Sequence, residues 1–137
     1  MNVEVFLDTN VLVYAAVARP HEERKRRRAM ELIETAEFGT SAQVLQEFYV
    51  TVVKKALRPL SPEVALAWLD QFAAFPCQAT DHRLVRVAIE KSERFQISYW
   101  DGAIIAAAEA LGAETLYSED LNAGQRYGSV QVVNPFE

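Results

Sequence analysis

The sequence predicts a parallel α/β fold: a central sheet with helices on both faces. Short apolar, strand-like runs alternate with helical stretches along the whole chain, the pattern of a parallel sheet. The opening run, Val3 to Leu7, is apolar except for Glu4, as a strand buried on both faces requires. That run stops at Asp8 and a helical pattern follows directly. A carboxylate therefore stands at a strand's C-terminal end, the edge where open α/β sheets bind ligands.

The chain's 137 residues predict one domain over 1–137, large enough for a core without covalent staples. Cys77 is the only cysteine, so no internal disulfide forms. A cytoplasmic protein is expected, with Cys77 a buried packing residue. The longest apolar run, Val11 to Ala18, is too short to span a bilayer, and the first residues do not read as a secretory leader. The net charge of −5 argues against a generic nucleic-acid coat. Its distribution is uneven: the first 60 residues carry nine Lys/Arg against eight Asp/Glu, and the rest carry five against eleven. Most of the basic charge lies in Arg24, Lys25, Arg26, Arg27 and Arg28. Five consecutive residues cover more than one helical turn, so they read either as a solvated face with snorkelling stems or as a local contact to an RNA backbone.

Asn10 to Val17 reads as a mostly buried helix that ends at Arg19-Pro20. Pro20 opens a second helix, with Glu22 and Glu23 at the favourable end of its dipole and Ala29, Leu32, Ile33 and Ala36 inward. Phe38 to Thr40 is a short strand, and Ser41 caps a helix over Ala42–Leu57. The apolar stripe of that helix places Glu47 towards solvent. Ser61 caps the next helix, with Pro62 at its first position and Val64, Ala65, Trp68, Leu69 and Phe72 inward to about Ala74. Pro76 to Thr80 is a weak third strand. Thr80 or Asp81 caps a helix to Phe95, with Leu84, Val85, Ala88 and Ile89 inward. A helix from Ile97 to Leu111 stops at Gly112. Glu114 to Tyr117 is a fourth strand, Leu121 to Gly128 a loop or single turn, and Val130 to Val133 a last strand. His21 and His82 have no partner at ligand spacing and read as ordinary polar residues.

The acids then take on meaning together. Asp101 falls inside the apolar arc of its helix, set by Trp100, Ile104, Ala108 and Leu111. A carboxylate there is costly unless hydrogen-bonded, paired or bound to a cation. Ser98-x-x-Asp101 also matches a capping box, which accounts for the spacing without excluding a second role. Asp120 follows the fourth strand and so shares a sheet edge with Asp8. Glu119 beside it can serve in either position. Asp101 and Glu47 can reach that edge from flanking helix starts. Carboxylates crowded in this way repel one another, and a divalent cation resolves the conflict. Mg²⁺ suits a few carboxylates plus substrate phosphates, and no His or Cys cluster competes for a softer metal. Metal-activated attack of water on a phosphodiester is the reaction this donor set suits best.

Four segments carry a resemblance: Phe6-Leu7-Asp8-Thr9-Asn10, Ser41-x5-Glu47-Phe48, Ser98-Tyr99-Trp100-Asp101-Gly102 and Tyr117-Ser118-Glu119-Asp120-Leu121-Asn122. Together they resemble the PIN-domain ribonucleases, the single-domain VapC toxins in particular, over essentially the full length. The resemblance implies a three-layer α/β/α sandwich around a parallel sheet of about five strands. It implies Asp8, Glu47, Asp101 and Asp120 as an acidic site for Mg²⁺ or Mn²⁺, supported by the polar groups of Thr9, Asn10, Ser41 and Ser98. It also implies an RNA substrate, a homodimer, and a cognate antitoxin whose basic tail blocks the cleft. Gly102 departs from the family's usual Ala after that Asp. Two alternatives stand beside this reading. A phosphate-accepting receiver domain would need an acidic pair where the chain has Asp8-Thr9 and a strand-end lysine it lacks. A PIN-like module without chemistry would keep the fold alone.

Overall fold

The computed structural model describes residues 3–137. Its elements run β1 (Val5–Leu7), α1 (Thr9–Val17), α2 (Glu23–Thr35), β2 (Phe38–Ser41), α3 (Ala42–Val50), α4 (Pro62–Phe72), β3 (Cys77–Gln78), α5 (His82–Phe95), α6 (Tyr99–Ala110), β4 (Thr115–Tyr117), β5 (Arg126–Tyr127) and β6 (Val130–Val133). A 3₁₀ turn (Pro20–Glu22) leads into α2, and a π-helical turn (Thr51–Lys55) follows α3.

The sheet order is β3-β2-β1-β4-β6-β5, and every neighbouring pair is parallel except β5–β6. From β1 the chain steps outward to β2 and β3, then crosses back to β4 on the other side of β1. Right-handed crossovers therefore place α1 to α4 on one face and α5 with α6 on the other. The packing agrees: α1 lies against α2 and α3, and α5 pairs with α6. The strand order reverses between β1 and β4, which makes their C-terminal ends the topological switch point.

The central position of β1 explains its composition. Phe6 and Leu7 are fully buried, one towards each helical layer. The core continues through Phe38, Phe48, Phe72, Ile105, Leu116 and Val132. Helix α6 is buried on nearly all sides from Gly102 to Ala108, so it shows no polar face to pattern.

Several expectations change. The parallel sheet of about five strands is there as β3-β2-β1-β4-β6, and among the described residues a sixth, antiparallel strand is added to it. The segment read as a loop up to Gly128 contains β5, which pairs back on β6 through a Gly128-Ser129 turn with Gly128 at φ +64°. Glycine meets that backbone requirement without strain. Tyr127 of this strand is buried and stacks edge-on against Phe95. The helix expected to reach Leu57 stops at Val50, and the π turn ends where the Ala56 N–H donates to the Thr51 carbonyl at 2.9 Å. Cys77 is exposed, because β3 is a two-residue edge strand with little covering it. Val64 and Ile89, both expected inward, are exposed. Trp100 is 65 % exposed rather than part of an inward arc.

The departure at Gly102 has a packing reason. A Cβ there would sit 2.6 Å from the Ala88 carbonyl oxygen and 3.0 Å from the Ser92 amide nitrogen of α5. Glycine lets the two helices touch backbone to backbone just beyond Asp101. Alanine gains helix propensity, about 0.5–1 kcal/mol, but overpacking costs typically about 1–3 kcal/mol. We expect Gly102→Ala to destabilise the fold on balance, seen as a lower urea midpoint with unchanged slope. A midpoint at or above wild type would show that α5 can yield.

Candidate active site

Asp8 ends β1 and starts α1. Its N–H donates to the Tyr117 carbonyl at 3.0 Å, which continues the β1–β4 ladder past the strand. Its carboxylate accepts from the Thr9 amide (2.7 Å, Oδ1) and the Ser118 hydroxyl (2.7 Å, Oδ2). Asp8 thus caps the helix and faces the neighbouring strand end at once. The side chain is only 8 % exposed. Burial pushes its pKa up to about 6, and the charges of Asp120 and Glu47 add to that rise against the two hydrogen bonds.

Ser118 is fully buried and organises the edge. Besides donating to Asp8, its oxygen accepts from the Asn10 amide (3.3 Å) and the Asp120 N–H (3.1 Å). The Asn10 Nδ2 also donates to Asp120 Oδ2 at 3.0 Å, and its Oδ1 accepts from the Glu119 N–H at 3.4 Å. The first turn of α1 is thereby fastened to the loop after β4, and Asp8 and Asp120 are held on the same edge.

Glu47 is exposed on α3, as its helical phase predicts, and that exposed side lines an open cleft of about 280 Å³ with Thr9, Asn10, Thr51 and Asp120. One amide nitrogen, Gln43 Nε2, donates both to Glu47 Oε1 (2.9 Å) and to the Trp100 carbonyl (3.2 Å), tying α3 to the start of α6. Asp101 is partly buried there. Its N–H donates to the Ser98 hydroxyl at 3.0 Å. Among the described residues no return bond runs from the Asp101 carboxylate to the Ser98 amide, so only half of the expected box forms. Burial raises the Asp101 pKa, and the charge of Asp120 adds to it while Ser98 opposes. The four acids form one electrostatic group, Asp8 with Asp120 and Glu47, and Asp120 with Asp101.

Other expected residues take different places. Glu119 lines the same cleft as Glu47 and Asp120 but is already engaged there: it accepts from the Tyr14 hydroxyl and, at 2.9 Å, from Lys25 Nζ. Lys25 lies over the Tyr14 and Phe136 rings, 4.9 and 5.7 Å from their centroids. Ser41 is buried and caps α3 through the Val44 N–H. The basic run disperses: Arg26 and Arg27 pair with Glu23, Arg28 with Glu31, and Lys25 with Glu119. Arg24 makes no ion pair among the described residues. Ser118, Gln43 and Tyr127, whose phenol feels the Asp101 charge, were not singled out in the sequence as site residues. A larger cavity of about 470 Å³, lined by Gln78, Arg83, Leu84 and Glu109, shares no residue with this cleft.

The donor set suits a hard divalent cation: carboxylate oxygens, an asparagine beside them, and a Thr9 hydroxyl that is buried without a hydrogen-bond partner. Among the described residues no three His, Cys, Asp or Glu side chains already close on one point as a coordination sphere. The cleft is open, with Glu47 and Asp120 exposed on its walls.

The PIN-domain sequence profile matches residues 5–127, so the chain belongs to the PIN-domain family. This removes the receiver-domain alternative. No curated protein sequence matches. Solved structures share the fold at low identity. VapC20 of Mycobacterium tuberculosis, described as a sarcin–ricin loop cleaving toxin, aligns over 85 % of this chain and 90 % of its own, with TM-score 0.68 and 18 % identity. A toxin–antitoxin complex from Klebsiella pneumoniae aligns over 98 % and 99 %, with TM-score 0.71 and 17 % identity. VapBC2 from Rickettsia felis, bound to a promoter DNA fragment, aligns over 93 % and 96 %, with TM-score 0.59 and 20 % identity. Among the described residues no helix is long and apolar enough to cross a membrane.

The raised Asp8 pKa has a thermodynamic sign. Between the unfolded value of 3.8 and the folded value of about 6, the folded chain binds more protons. Stability from this group is therefore complete below pH 3.8 and is lost as pH rises through about 6. The shift corresponds to about 3 kcal/mol. In chelator, Asp8→Asn should gain stability relative to wild type as pH goes from 4 to 7, by up to that amount. Urea unfolding of both proteins across this range checks it; a constant difference would mean that Asp8 is not destabilised by its charge.

Proposed function

We propose that this chain is a Mg²⁺- or Mn²⁺-dependent endoribonuclease of the VapC toxin type, one cytoplasmic domain acting as a homodimer and neutralised by a cognate antitoxin. The observation that carries the reading is the buried Asp8 carboxylate on the switch-point edge, within electrostatic reach of Asp120 and of Glu47 on α3. That edge is where such folds place ligands, and carboxylates around one cleft are the donors that suit a hard cation. Family membership supports the nuclease class. The toxin and toxin–antitoxin structures of the same fold support the biological setting.

Asp8, Asp101, Asp120 and Glu47 would hold the ion. When bound, it supplies the positive charge that lets a phosphate approach four carboxylates, and it activates water for attack on phosphorus. Asp8 is the fixed member, because Ser118 and the Thr9 amide lock its rotamer. Asp120 is the adjustable one, exposed and steered by Asn10. Either acid can take the proton of the attacking water. Gln43 and Ser98 set the positions of Glu47 and Asp101. The apolar groove lined by Leu45, Tyr49, Val50 and Leu69 is suited to a protein partner.

Two tests follow. The wild type should cleave RNA with Mn²⁺ to leave 3′-hydroxyl and 5′-phosphate ends, and Asp8→Asn and Asp101→Asn should each lose at least about 100-fold, since transition-state charge stabilisation is typically worth that much. Mn²⁺ should also raise the melting temperature of wild type but not of Asp8→Asn. Full cleavage in EDTA, or by both variants, would defeat the mechanism; intact Mn²⁺ binding without cleavage of any RNA would favour a binding module. For substrate contact, Arg24 is exposed, and the Arg27 side chain is 76 % exposed despite its 3.5 Å pair with Glu23. Double charge reversal at these two should weaken RNA binding and reduce its salt slope by about two. An unchanged slope would assign the run to a merely solvated face.

A further inference from the structure

We infer that Trp100 is a stacking platform for an unpaired RNA base next to the bond that is cut; this rests on the ribonuclease reading above. The indole is the largest exposed apolar side chain of the described residues, at 65 % exposure. It stands in the first turn of α6, immediately before Asp101. Its backbone carbonyl receives the same Gln43 amide that holds Glu47, so its turn of helix is pinned to the rim of the acid cleft. Tyr99 meets it edge-on, with ring centroids 5.0 Å apart and an interplanar angle of 81°. Tyr99 is in turn packed on the Leu84–Ala88 cluster of α5. The ring therefore has one edge against a packed side chain and the rest in solvent.

An indole left largely in water calls for a partner with a flat, apolar face. The surroundings indicate which. Val50, Leu57, Val64 and Leu66, the other large exposed apolar side chains near α3 and α4, belong to those helices and the segment between them, and the apolar groove of α3 and α4 does not include Trp100. Trp100 instead directly precedes Asp101 and shares the Gln43 amide with Glu47, a poor setting for an apolar protein contact and a good one for a neutral base whose own phosphate is held at the acids. Stacking on an aromatic ring tolerates any base. It also requires that the base be out of a duplex, since the faces of paired bases are already covered by their neighbours. The ligand that tests this platform is therefore an unpaired strand, with a duplex as the contrast.

The test uses Trp68→Phe, which leaves Trp100 as the only tryptophan of the two. In calcium buffer, a 12-residue oligoadenylate should quench its emission, and inorganic polyphosphate of similar length, a backbone without bases, should not. Trp100→Ala should weaken oligoadenylate binding about 5- to 100-fold, and Trp100→Phe should retain most of it. Both variants should bind polyphosphate and a 12-base-pair RNA duplex as wild type does. The proposal is overturned if Trp100→Ala binds oligoadenylate normally, if it loses polyphosphate equally, if wild type binds no oligoadenylate, or if the substitution changes only self-association, which would make Trp100 a protein contact. Mn²⁺-dependent cleavage by wild type is scored separately. Its absence would defeat the nuclease reading and leave the stacking result to be judged on binding alone.

Discussion

Everything at the candidate site depends on one constraint: a carboxylate is buried where the central strand ends. Water is largely excluded from Asp8, and only two hydrogen bonds replace it. The fold supports this because β1 lies between β2 and β4, so its terminus cannot shift without disturbing the sheet on both sides. Ser118 then performs several tasks with one oxygen, serving Asp8, Asn10 and the Asp120 amide. The acid site is in this sense the polar continuation of the β1–β4 ladder.

Glu47 and Asp101 are attached differently. They come from opposite helical layers, and Gln43 is the link that spans the gap. On the far flank, Lys25 and Glu119 fasten α2 to the loop that carries Asp120. The site is therefore a rigid floor with two tied walls, and the closeness of α5 to α6 at Gly102 belongs to one of those walls.

The sequence revealed most where the chemistry is local. The strand-to-helix boundary marks Asp8, Ser-x-x pairings mark the caps of α3, α4 and α6, and strand alternation fixes the order in which Asp8 and Asp120 reach one edge. It revealed least where partners lie far apart along the chain. Periodicity made Glu47 merely solvent-facing; only the neighbouring helix turns that exposure into a cleft wall. The helical wheel put Trp100 inward because it cannot tell that α6 is buried by its later turns and not its first. The pairs Arg26–Glu23 and Arg28–Glu31 are visible in spacing, whereas Lys25–Glu119 is not. β5 escaped because two residues hold no periodicity, although the Gly-Ser step after Tyr127 is a hairpin signal.

The bond from Ser118 to Asp8 joins positions 110 residues apart. A ribosome making this chain would release Asp8 and Glu47 well before the segment that completes the group. Until β4 docks beside β1, the acids belong to a chain without a floor to hold them. Contacts so distant in sequence form late, after the loop-closure entropy has been met. A copy in which β4 has not docked consequently lacks the assembled acid group.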